Sequence, residues 1–240
     1  MQRLIQLGAT FAVILWAIAR TSSAHAGEVR LPIGSNGGYA TVATDVKSVK
    51  ELREDGITLQ KLDYSCGSAA LSTIFTSYLD LPYSEADIID FIVRNGDVQK
   101  ILVRKGFSLL DLKNFADQHG VAATGYALEF NDLVELQCPV LVPLYRPKQN
   151  MRHFVIFRGA TEDRVFLADP AVGRRTMLRS EFEEAWIPKV GMVFNHPGMP
   201  PAEQTLLGFD PMDGAYLPSD NLRAVVYQSV ITYIHQANEF

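Results

Sequence analysis

Cysteine is scarce in this 240-residue chain, which contains only Cys66 and Cys138. That scarcity excludes a small domain built on a disulfide framework, because such domains carry several regularly spaced pairs. Long apolar runs are also missing. The stretch at residues 11–19 falls short of the roughly 20 apolar residues needed to cross a bilayer. Positive charge is in deficit, with 22 Lys and Arg against 27 Asp and Glu, so the chain lacks the basic surface that nucleic acid requires. No segment repeats at a period of twenty to fifty residues and no low-complexity block occurs, so solenoids and arrays fall away.

What is present begins with a processing segment. Residues 1–26, MQRLIQLGATFAVILWAIARTSSAHA, place Arg3 before the apolar run and end on Ala24-His25-Ala26. That order predicts a secretory signal peptide cleaved after Ala26. No cysteine lies beside the cleavage point to accept a lipid, so the mature chain is expected to be periplasmic and not membrane-spanning. The segment carries Arg3 and Arg20 and no acid, so the mature net charge moves from −5 to 20 − 27 = −7. The remaining 214 residues suffice for one domain with an appendage.

Residues 27–58 form a lead-in with an alternating YATVATDVKSV, which predicts a short strand or hairpin. From Cys66 the spacing turns helical, with Leu71, Ile74, Phe75, Tyr78 and Leu79 at three- and four-residue steps after Ser65, a candidate N-cap. Ser84 with Asp87, and Ser108 before Leu109, Leu112 and Phe115, start two more helices, the second closed by Gly120. The period then changes to that of strands in VAATGYAL, PVLVPLYR, RHFVIFRG and RVFLAD, with GATEDR as the turn between the last two. A helix follows with Ser180 and Glu183 as its capping box, then the strand GMVFN. Helices followed by an antiparallel sheet is an α+β order. Residues 197–240 open Pro-rich and end in a predicted amphipathic helix with Leu222, Val225, Val226, Val230 and Tyr233 on one side.

Cys66 would sit in the first turn of its helix, where free N–H groups and a partial positive charge favour a thiolate. Gly67 would leave room for a substrate carbonyl, although small residues there also serve tight packing. A thiolate needs a base. Of the mature histidines, His153 opens an apolar strand, whereas His119, His196 and His235 read as surface residues. A satisfied strand-edge histidine would look the same. Asp169 ends the next strand, sixteen residues after His153, and an antiparallel turn would bring it to the ring N–H to hold the tautomer. The Asp-Pro pair would equally begin a turn. Gln60, six residues before Cys66, offers a side-chain amide to an oxyanion beside the Cys66 N–H. Arg152, Arg174 and Arg175 could recognise an acidic or C-terminal group or be solvated surface. A Cys66–Cys138 bridge stays open, since export leads to an oxidising compartment.

Taken together, Gln60, Cys66-Gly67-x-Ala69, HFVIF from His153 and DPAVGR from Asp169 resemble the C39 peptidases of the papain-like cysteine protease class, over roughly residues 55–196. The resemblance implies a papain-like α+β fold, with N-terminal helices packed on an antiparallel sheet. It implies Cys66 as nucleophile, His153 as base, Asp169 as orienter and Gln60 as oxyanion donor, with no cofactor and no metal. It gives a domain order of signal peptide 1–26, lead-in 27–58, peptidase domain 59–196, and Pro-rich linker with C-terminal helix 197–240. Members commonly form the cytosolic part of an export ATPase and cut leaders after a double glycine. This chain has its own signal peptide, no ATP-binding half and an added C-terminal segment, so that specificity does not carry over directly. It is more similar to free-standing periplasmic members, among them the peptidase of functional-amyloid (Fap) export systems. The implied substrate is an exported polypeptide, and the implied partners are outer-membrane or other secretion-system proteins. The alternative is a C39-like binding or chaperone module with little hydrolysis.

Overall fold

Two serine hydroxyls mark where the helices begin. The computed structural model describes residues 28–33, 40–45 and 47–209. Ser84 Oγ accepts the N–H of Asp87 while the Asp87 carboxylate takes the Ser84 N–H, and Ser108 and Asp111 repeat that reciprocal pair. Each pair satisfies two of the four N–H groups that a helix start leaves without partners. The helices are α1 (Val49–Glu54), α2 (Cys66–Ser77), α3 (Glu85–Asn95), α4 (Val98–Arg104), α5 (Leu109–Gln118), α6 (Phe130–Glu135) and α7 (Arg179–Ala185). Asp97 caps α4 by accepting from Lys100 N–H at 3.1 Å. Helix α7 starts two residues earlier than the Ser180–Glu183 spacing predicts, because the Glu181 carboxylate receives Leu178 N–H at 3.2 Å and draws the chain into helix there.

The chain divides into two compact units at Leu52/Arg53. The first holds an antiparallel hairpin of β1 (Glu28–Ile33) and β2 (Ala40–Asp45), in which Glu28 pairs with Asp45 and Ile33 with Ala40, in agreement with the alternation of that segment. The predicted signal peptide and the predicted C-terminal helix lie outside the described residues.

The second unit contains the six-stranded antiparallel sheet: β3 (Ala122–Ala127), β4 (Val140–Arg146), β5 (Met151–Ala160), β6 (Arg164–Asp169), β7 (Gly173–Leu178) and β8 (Val190–Asn195), ordered β3-β8-β4-β5-β6-β7. Alternate residues of its central strands enter two separate cores. Phe154 and Ile156 of β5 pack with Ile74, Leu112 and Phe115 of the helices, whereas Val155 and Phe157 pack with Phe182 and Trp186. The sheet is thus covered on both faces. Helix α2 packs on β5 and against α3 and α5, and every residue from Cys66 to Phe75 is buried. A helix buried all round has to be apolar or small on every side, which is why its first half reads Gly67, Ser68, Ala69, Ala70. Gly67 serves packing: a Cβ there would stand 3.1 Å from Phe154 and 3.2 Å from Leu112. Of the two readings of Gly67, these contacts support tight packing.

Candidate active site

The register of β5 against β6 places the two polar partners together. Ile156 pairs with Ala168, so the next position, Asp169, falls beside Val155, two residues from His153 and on the same face. His153 Nε2–H donates to Asp169 Oδ1 at 2.6 Å. The carboxylate is fixed further by Ala171 N–H at 2.8 Å to the same oxygen, while Arg175 Nη1 at 3.2 Å and Arg146 Nη2 at 3.5 Å reach Oδ2.

With Nε2 committed to Asp169, the other ring nitrogen is left for Cys66, and each of these two side chains favours the charged form of the other. Cys66 is the first residue of α2. Ser65 stands at the cap position, yet its hydroxyl turns back to donate to the Leu62 carbonyl at 2.9 Å and accept the Leu62 N–H at 3.1 Å. The first-turn amides of α2 are therefore left uncapped by a side chain, and the backbone N–H groups of Phe154 and Gly67 favour a charged sulfur. Burial would push the Cys66 thiol up, but the His153 hydrogen bond and charge, with those two N–H groups, outweigh it and hold the thiol below its ordinary range. Burial likewise disfavours a charged His153. The Asp169 and Cys66 hydrogen bonds overcome that and raise the imidazole above its usual value. Asp169 resists the upward pull of burial through His153, Ala171 N–H and Arg175, and stays below the normal carboxylate range. The three groups favour a thiolate–imidazolium–carboxylate charge state.

Gln60 lies in the loop before α2. Its backbone N–H donates to Pro170 O at 2.8 Å, tying this loop to the turn that follows Asp169. Its side-chain Nε2 donates to Leu62 O at 3.0 Å, and Oε1 is buried with no hydrogen bond among the described residues. One N–H of the amide remains for another acceptor.

A cleft of about 740 Å³ reaches Cys66, walled by the α4–α5 loop through Lys105 and Phe107 and by the β4–β5 hairpin through Tyr145, Met151 and Arg152. Its lining is mainly apolar, as ligand clefts commonly are. No cluster of three or more metal-binding side chains occurs among the described residues.

Cys138 and Cys66 are both free. Cys138 acts on Tyr78, the C-cap of α2, whose hydroxyl is pushed up to about 12 by burial and by the Cys138 and Glu203 charges. The bridge left open above is not formed in this structure.

Arg152 lines the cleft, while Arg174 donates to the Leu206 and Asp55 carbonyls at 2.8 and 3.4 Å, and Arg175 binds Asp169. His119, expected at the surface, stacks on Phe115 at 4.1 Å and meets Tyr83 and Phe91 edge-on, since it is drawn in by Nδ1 bonding to the Phe115 carbonyl at 2.7 Å. The residues that sequence reasoning missed are Arg146 and the carboxylate-binding role of Arg175.

Residues 54–196 match the Peptidase C39 family. The chain is 32% identical over 157 residues to the probable functional amyloid protease FapD of Pseudomonas fluorescens, covering 65% of this chain and 68% of that protein. It is 32% identical over 149 residues to the protein of the same name from Pseudomonas aeruginosa, covering 62% and 65%. The match therefore spans about two thirds of each relative. Among solved structures, the peptidase domain of Streptococcus ComA, a bifunctional ABC transporter of a quorum-sensing pathway, superposes with a TM-score of 0.50 at 18% identity, covering 58% of this chain and 97% of that domain.

Proposed function

Because the chain belongs to the peptidase C39 family and has its papain-like fold of helices packed on an antiparallel sheet, we propose that it is a periplasmic cysteine peptidase that cleaves an exported polypeptide in support of functional-amyloid secretion. The observation that carries this reading is the buried Asp169 carboxylate holding His153 at 2.6 Å, with His153 favouring the charged form of Cys66 at the start of α2. In the proposed reaction the Cys66 thiolate attacks the scissile carbonyl carbon. The carbonyl oxygen takes up the electron pair as an oxyanion, which the Cys66 N–H and the second Gln60 amide hydrogen stabilise. As the C–N bond breaks, imidazolium His153 gives its proton to the leaving amine. Neutral His153 then removes a proton from water, whose oxygen attacks the thioester, and the acid product departs as the thiolate–imidazolium pair is restored. Asp169 stays ionised throughout and holds the ring in place.

The amyloid connection comes from the two relatives named as probable functional amyloid proteases. Residues 1–26 support the periplasmic location as a signal peptide, and the division that accompanies it is a lead-in at 27–58, the peptidase domain at 59–196 and a helical extension at 197–240. No helix among the described residues is long and apolar enough to cross a membrane. Comparing the exported proteins of cells carrying wild-type and Cys66→Ser chains tests the proposal. A new uncleaved polypeptide is expected in the variant, and identical profiles would leave the binding-module reading in its place.

A further inference from the structure

The reaction above uses one oxygen of Asp169, and the other carries contacts that it leaves unexplained. Asp169 is 0% exposed, and a buried carboxylate needs compensating charge and hydrogen bonds. Oδ1 is satisfied by His153 and the Ala171 N–H, while Oδ2 faces two guanidinium groups, Arg175 from β7 at 3.2 Å and Arg146 from the end of β4 at 3.5 Å. The placement follows from register. Gly173 pairs with Asp169 and Arg175 with Leu167, so Arg175 stands two residues along β7 on the Asp169 face, while Arg174 between them bonds the Leu206 and Asp55 carbonyls. The tight return is possible because residue 173 is a glycine. Its φ is +85°, and a Cβ there would stand 2.5 Å from the Arg53 carbonyl oxygen.

We propose, building on the peptidase reading, that Arg175 is a positioning residue: with help from Arg146 it locks the Asp169 carboxylate and sets the pH at which Cys66 becomes reactive. The charged and titratable groups facing one another are Cys66 from α2, His153 from β5, Asp169 from β6, Arg175 from β7 and Arg146 from β4. A fixed cation on Oδ2 draws electron density from the carboxylate, so that the cluster as a whole holds its protons less tightly. Thiolate therefore forms at lower pH with Arg175 than without it. Arg175 also fixes the second oxygen, so the carboxylate cannot rotate away from the ring.

The test uses the full chain and needs no substrate: the rate of Cys66 alkylation by iodoacetamide is followed against pH. Arg175→Met is expected to move the acid-side inflection upward by roughly 0.5 to 1 pH unit. Arg175→Lys, which keeps the charge, should return most of that shift, and Arg174→Met should leave the inflection where it is. Should Arg175→Met fail to fold, Arg146→Met carries the same test with an upward shift of smaller size. An unmoved inflection in the folded variant overturns the proposal, whatever the change in stability, because a merely structural arginine alters melting and not titration. Wild-type Cys66 that resists alkylation at every pH removes the nucleophile reading beneath it, an outcome distinct from an unmoved inflection.

Discussion

The two ends of α2 each carry a sulfur nearby, and they differ in nearly everything else. At the N-terminal end Cys66 has uncapped helix amides, an imidazole and an apolar cleft beside it. At the C-terminal end Cys138 has Tyr78 and no cation acting on it, and burial alone raises its thiol above the ordinary range. Burial acts on both sulfurs in the same direction. What reverses its effect at Cys66 is one positioned ring and two backbone N–H groups, so reactivity is a property of the element end and not of the residue type.

Activity gives the largest expected break in that comparison. Cys66→Ala should lower hydrolysis of the processed polypeptide by on the order of 10⁴-fold or more, with His153→Ala equally damaging and the double variant no worse, since the two act as a unit. Cys138→Ala should leave turnover unchanged and lower the melting temperature by a few degrees, from a loss of about 1 kcal/mol for the vacated space. Turnover that survives Cys66→Ala would undo the assignment.

Chemical labelling sharpens the contrast next. At about pH 6, well below the ordinary thiol range, iodoacetamide should modify Cys66 alone, and intact-mass analysis should show a single adduct that Cys66→Ser abolishes. A second adduct on Cys138 at a comparable rate would mean that the two environments are equivalent.

The smallest effect is on stability against pH. Asp169 has a folded value below its unfolded one, so its contribution is complete above the usual carboxylate pKa and is lost as the pH falls through the folded value. Wild-type melting temperature should therefore drop more steeply below about pH 4 than that of Asp169→Asn, which has no proton to take up. Parallel curves from calorimetry would show that Asp169 is not held ionised by its neighbours.

How much of this was legible follows from where apolar residues lie. Strands β4, β5 and β6 are buried in the centre of the sheet and read as continuous apolar runs, and the reciprocal Ser–Asp pairs announce α3 and α5. Cys66 opens α2 and Asp169 closes β6 as expected, while His153 is the third residue of β5 and Gln60 lies in the loop before α2. Strand β7 escaped notice because it is an edge strand of sequence GRRTML, whose polar residues are partly exposed. With no strand assigned to residues 173–178, Arg175 had nothing to carry it back to Asp169. Helices α4 and α6 are short, with too few residues to display a period. The sequence could not choose between the two readings of Gly67, because the tightness it answers is set by Phe154 and Leu112, 87 and 45 residues away in the chain.

Burial of α2 from Cys66 through Phe75 shields the backbone of its first turns from solvent. A helix that ends in solvent frays, and its terminal amides exchange hydrogen through small local openings. Here the turn bearing Cys66 is enclosed with the rest, so the amides of Ala70 to Phe75 should exchange only when the whole unit unfolds. Any polypeptide that occupies the cleft at concentration c stabilises the folded state by RT ln(1 + c/Kd), which rises with the logarithm of its concentration. The slow exchange of these few amides would therefore report binding directly, even for a peptide that is held and never cut.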